Sequence, residues 1–117
     1  MIREEVTIPV MVGDDPLLLL RIQKRQAGTT LPYDLSNVDE IEFIVRAKTG
    51  DTTPMATYRL SNGQVSKVDE AKGRIAVQII GADIDNPPIQ HRRYQVRLRE
   101  VGLWRTVMAG QLALKVA

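Results

Sequence analysis

Between turn residues at near-regular spacing, the chain alternates apolar and polar side chains with a period of two. The clearest case runs over residues 40–47, where Ile41, Phe43 and Val45 share one face and Glu40, Glu42 and Arg46 the other. Only an extended strand sends successive side chains to opposite sides, so this pattern predicts strands and excludes long helices. Similar stretches cover residues 6–12, 17–23, 55–60, 64–68, 74–80, 92–101 and 103–116. Each has one apolar face, which predicts sheets buried on one side and wet on the other. Pro9 lacks an N–H, which places the first strand at a sheet edge or at a bulge. Asn62-Gly63 predicts a hairpin with a type I′ turn, returning over residues 64–68. Residues 26–33, with Gly28 and Pro32, read as a loop. Residues 81–85 read as a single helical turn stopped by Pro87-Pro88.

Seven or eight such strands in 117 residues predict an all-β fold, a single antiparallel Ig-like β-sandwich spanning residues 1–117 as one domain. The core is expected from Leu18, Leu20, Ile22, Ile41, Phe43, Val45, Ile75, Val77, Ile79, Tyr94, Val96, Leu98, Leu112 and Leu114. Apolar residues make up 44%, enough for one such core.

The chemistry that the residue types allow is narrow. With no Cys there is no thiolate nucleophile, no disulfide and no Cys-based zinc site. This fits assembly in a reducing cytoplasm. The single His91 has no second His beside which to bind a metal, and it reads as an exposed strand-edge residue. Asp14-Asp15 and Asp83 with Asp85 are paired carboxylates, but they lack a Gly-punctuated calcium loop and read as turn residues. None of the three serines sits in a nucleophile elbow, and no Gly-rich phosphate loop exists. No enzyme, metal or cofactor is expected. The longest apolar run is residues 16–20, too short to span a bilayer, and the N-terminus carries no secretory signal.

One surface invites a partner. Arg93, Arg97 and Arg99 share the face opposite Tyr94, Val96 and Leu98, with Arg92 and Arg105 nearby. Either this face pairs with Glu40, Glu42 or Glu100 on neighbouring strands, or it binds an anionic partner. A protein partner is preferred, because Arg is enriched at interface hot spots. Trp104 opens the last strand, as a core plug or as an interface anchor. Net charge is only +2 and aromatics 4%, which argues against a nucleic-acid groove.

The order of signals resembles the N-terminal domain of phage baseplate upper proteins and related tail-fibre modules. The steps that carry it are Asp34-Leu-Ser-Asn-Val38, Ile41-Glu-Phe43-Ile-Val45 and Gly73-Arg-Ile-Ala-Val77. They continue as Tyr94-Gln-Val-Arg-Leu98 and Gly110-Gln-Leu-Ala-Leu-Lys-Val116. The family commonly has Gly-x-Tyr before the Tyr strand, where this chain has His91-Arg-Arg-Tyr94. The resemblance implies a non-enzymatic assembly module in the virion of a phage or prophage, synthesised in the host cytoplasm. Its expected partners are other tail or baseplate proteins and further copies of itself, with no membrane insertion. The competing readings are a basic OB-like barrel binding nucleic acid through Arg92, Arg93, Arg97 and Arg99, and a carbohydrate- or receptor-binding sandwich using Tyr33, Tyr58 and Trp104.

Overall fold

The computed structural model describes residues 4–11, 14–47, 52–83 and 91–115. Ten strands account for most of them: β1 (Glu4–Met11), β2 (Leu17–Arg21), β3 (Gln23–Gln26), β4 (Thr29–Pro32), β5 (Val38–Arg46), β6 (Ala56–Arg59), β7 (Val65–Asp69), β8 (Arg74–Gln78), β9 (His91–Glu100) and β10 (Leu103–Lys115). The helical turn is a single 3-10 turn at Gly81–Asp83. Val12, residues 84–85, Pro87-Pro88 and Val116, to which the sequence assigns strand ends, part of the helical turn and its stop, lie outside the described residues.

Two sheets form a sandwich. One has five strands in the order β1-β10-β9-β5-β6, the other three in the order β2-β8-β7. A β10-β9-β5 sheet extended by β6, facing β2-β8-β7, is the strand order of an immunoglobulin-type sandwich. Pairing is antiparallel except between β1 and β10, which run parallel. As Pro9 requires, β1 is an edge strand. β3 and β4 form a separate hairpin where the sequence suggests a loop.

The turns correct the hairpin expectation. β6 pairs with β5 and β7 with β8, so the chain through Asn62-Gly63 crosses between sheets. Gly63 has φ +82°, but Asn62 is not in the left-handed region, so this is no type I′ turn. Both central residues have positive φ instead at Ala27-Gly28 (52° and 80°) and Val101-Gly102 (53° and 75°). Those two-residue loops close the β3–β4 and β9–β10 hairpins. A β-branched Val in the left-handed region costs free energy that Asn or Gly would not.

The core lies between the sheets. Phe43 is fully buried and stacks on Tyr94 at 5.2 Å between ring centroids, with Tyr58 tilted beside it at 6.4 Å. Ile41, Val45, Ile75, Val77, Ile79, Val96, Leu98 and Leu112 are buried as the alternation predicts. Leu20 is only partly buried. Leu35, Val38, Tyr58, Val65, Val107 and Met108 join the core beyond the expected set. Consecutive burial of Val107 and Met108 follows from a bulge between Thr106 and Met108, which shifts the phase of β10.

One junction ties the three-stranded sheet to the β3–β4 hairpin. The Ile22 N–H donates to Gly73 O (2.7 Å) and the Tyr33 N–H to Ile22 O (2.9 Å). Gly73 has φ +69°, and a Cβ there would sit about 2.8 Å from Tyr33 O. Only glycine meets both conditions.

Candidate functional site

The outer face of the five-stranded sheet is built by β5, β6, β9 and β10. Glu40 and Glu42 point outward as expected, yet both are buried. β5 has a strand on each side, and long cationic side chains from those strands fold over it. Arg59 Nε lies 3.0 Å from Glu42 Oε2, and Arg97 reaches Glu42 Oε1 at 3.6 Å. Arg99 Nε donates to Asp39 Oδ1 at 2.9 Å. Farther along, Arg46 donates to Gln95 Oε1 at 2.8 Å.

Glu40 has a different set of partners. Its Oε1 accepts the N–H groups of Ile41 (3.0 Å) and Ser61 (3.1 Å). Burial pushes its carboxyl up, but those hydrogen bonds and nearby Arg99 outweigh it and hold the group below the usual glutamate value.

Trp104 lies on the same outer face, 37% exposed, and is not a core plug. The Arg97 guanidinium lies 4.7 Å from its ring centroid and that of Arg99 5.4 Å. The register explains this grouping: Trp104 is opposite Arg99, and Thr106 opposite Arg97. Cations stacked on indole are worth about 0.5–1 kcal/mol each at exposed sites.

The structure therefore brings Arg97, Arg99 and Trp104 together and leaves Arg93 apart. Arg93 is half-buried and pairs in register with Arg46 and Gln111, six residues up β9 from Arg99. Arg92 corrects the expectation outright. It is 0% exposed and has the inward parity of Tyr94, Val96 and Leu98, so it cannot reach a nucleic-acid phosphate. Arg105 and Glu100 also belong elsewhere, hydrogen-bonded with Tyr33 near the opposite face. There, partial burial and the Glu100 carboxylate raise the Tyr33 phenol above its usual value.

The aromatic platform that a carbohydrate reading needs is not assembled. Tyr58 is buried, and its hydroxyl accepts the Ile80 N–H (3.2 Å) and lies 3.2 Å from Asp83 Oδ2. Tyr33 contacts Arg105, whose side chain leaves β10 on the side opposite Trp104. Nor is the fold the closed barrel of the nucleic-acid reading.

Of the paired carboxylates, Asp15 Oδ1 accepts the Gly81 N–H at 2.8 Å and Asp83 lies against Tyr58. Both work as local structure. Among the described residues no three His, Asp or Glu side chains converge as metal ligands. His91 is exposed at the start of β9. No helix among the described residues is long and apolar enough to cross a membrane.

Sequence reasoning missed Asp39 and Arg59 as members of the outer ladder. Asp39 shares no parity with Glu40 and Glu42, and reaches Arg99 because the β5–β9 register shifts between Val38 and Glu40. No family model matches the chain, and no curated protein matches it.

Proposed function

We propose that this chain is a non-enzymatic assembly module of a phage or prophage tail, in the baseplate or a tail fibre, where it docks other virion proteins. The observation that carries the docking role is the Arg97–Trp104–Arg99 layer on the outer sheet face. Arg and Trp are the residue types that dominate binding energy at protein interfaces. Here they stand on paired strands, fixed by Glu42 and Asp39, so little ordering is lost on contact. The assignment to a tail rests on the resemblance. Its motif steps fall in order along one sandwich: Asp34 to Val38 leading into β5, then β5, β8, β9 and β10. The Asp34 step is a defined turn, in which Oδ1 accepts the Ser36 N–H at 3.0 Å.

The test is to purify particles after prophage induction and look for this chain by mass spectrometry. Incorporation of the wild type and its loss in Trp104→Ala, with a melting curve that stays cooperative and a stability that drops by no more than about 2 kcal/mol, is the expected result. A chain absent from particles, or a coding gene set among metabolic genes without tail genes, would end this reading.

A further inference from the structure

Three of the four outer edges of the two sheets carry a device that discourages pairing. β1 holds Pro9, β6 is four residues long, and β7 has a bulge between Lys67 and Asp69. β2 has none of these. It reads Leu17-Leu-Leu-Leu-Arg21, runs in unbroken register with β8, and has no strand on its other side among the described residues. Its outward side chains are apolar and exposed: Leu17 at 59% and Leu19 at 72%. A groove of about 450 Å³, lined by Ile8, Leu18, Leu20 and Met108 among others, opens beside it.

The backbone pattern says which groups face that edge. Ile79 N–H donates to Pro16 O (3.0 Å), and Ile22 N–H to Gly73 O (2.7 Å). Even-numbered residues of this segment therefore bond inward to β8. By the alternation of antiparallel ladders, Leu17, Leu19 and Arg21 present N–H and C=O groups outward. The outer row of β2 is Leu17, Leu19 and Arg21; Asp15, exposed just before the strand, follows the same odd-numbered spacing, which makes the series self-complementary in charge. Turned by a two-fold axis at Leu18, it sets Leu17 against Leu19 of a second copy and Asp15 against Arg21 of that copy. Asp15 Oδ1 holds the Gly81 N–H, which leaves Oδ2 for a guanidinium. Among the described residues Arg21 makes no ion pair.

We propose that the β2 edge binds a second copy of this chain, joining the two three-stranded sheets antiparallel into one six-stranded sheet, with Asp15 of each copy paired to Arg21 of the other. Leu17 and Leu19 would exchange four main-chain hydrogen bonds, and the four exposed leucines would pack on one face. A second copy fits better than an unrelated strand, because one row supplies both the cation and the matching carboxylate at the spacing a two-fold requires. This inference deepens the assembly reading and rests on it for its biological setting.

The first experiment is mass by light scattering across a concentration series. The wild type should be a dimer that dissociates on dilution. Arg21→Asp should weaken the dimer at least about tenfold, roughly 1.4 kcal/mol, and Asp15→Arg with Arg21→Asp should recover part of it. Because the chain has no cysteine, Leu18→Cys introduces one thiol at the two-fold. Facing residues at a non-hydrogen-bonded antiparallel pair lie about 4.5 Å apart between Cα atoms, within disulfide reach. Oxidised Leu18→Cys should run as a covalent dimer, and Leu17→Cys should not. A wild type that stays monomeric at every concentration overturns the proposal, as does a dimer indifferent to Arg21→Asp. A monomer still found in purified particles sinks the dimer alone and leaves the tail reading standing.

Discussion

The two sheets show opposite outer faces. On the five-stranded sheet, charge is dense but internally answered: Arg59 and Arg97 on Glu42, Arg99 on Asp39, and two guanidinium groups over Trp104. On the three-stranded sheet, Leu17, Leu19 and Val68 stand exposed. The first face stabilises the folded chain by itself. The second leaves apolar area and main-chain groups in water, the condition that the proposed second copy would relieve. On the first face the charge is largely answered within the chain, and what it offers a partner is the Trp104 ring held in place between Arg97 and Arg99.

This contrast assumes that both sheets depend equally on one core, and Phe43 tests that first. Phe43→Ala removes a ring stacked on Tyr94 and packed beside Tyr58, and should cost about 3–5 kcal/mol. Urea unfolding should remain one cooperative transition. If the sheets instead melt separately by tryptophan fluorescence and far-ultraviolet dichroism, they are not one unit and their faces cannot be compared as parts of it. Gly73→Ala comes next. It forces a left-handed residue and a backbone clash at the Ile22–Tyr33 junction, and should cost about 1–3 kcal/mol. Hydrogen exchange should quicken first in β2 and β8, since that junction anchors their sheet. Exchange that quickens first in β5 and β9 would place the weak point in the other sheet.

The contrast itself is addressed by a pair of variants. Glu42→Ala strips two arginines of their partner on a nearly buried carboxylate and should cost about 1–2 kcal/mol. Leu19→Ser, measured at dilution, should change stability by no more than about 0.5 kcal/mol. Equal losses in the two would erase the distinction between a self-satisfied face and an unfinished one.

Much of this was legible in the chain, for a definable reason. Alternation is a local property, so the inward faces of β5, β8 and β9 follow directly from Ile41-x-Phe43-x-Val45, Ile75-x-Val77 and Tyr94-x-Val96-x-Leu98. The same parity places Arg92 indoors, although its charge suggests the surface. What alternation cannot encode is the sheet to which a strand belongs. Asn62-Gly63 carries the residues of a tight hairpin and instead bridges two sheets, because Glu42 to Val45 take β6 while Val77 takes the start of β7. Conversely, Ala27 and Val101 occupy left-handed positions that their side chains disfavour, so those hairpins are held by the strands they join. The outer ladder needed the β5–β9 register, which depends on contacts some fifty residues apart. The Asp15 to Arg21 row was in plain view, but its significance depends on β2 ending up at an edge.

The last test probes the seam between the sheets. Tyr58 rises from β6, in the five-stranded sheet, and its hydroxyl meets Ile80 and Asp83 at the end of the other sheet's last strand. Burial, with the carboxylates of Asp83 and Asp15 nearby, pushes its phenol up to about 12. A group whose folded value is raised adds stability that is complete below the unfolded value near 10 and is lost as pH climbs towards 12. Tyr58→Phe should therefore cost about 1 kcal/mol at neutral pH. Between pH 10 and 12 its stability should fall less steeply than that of the wild type. Phenolate absorbance followed with pH should lose, in the variant, the amplitude near 12 that Tyr58 contributes in the wild type. Equal amplitude near 12 in wild type and variant would mean that the seam is open to water, and that the sheets meet through the apolar core alone.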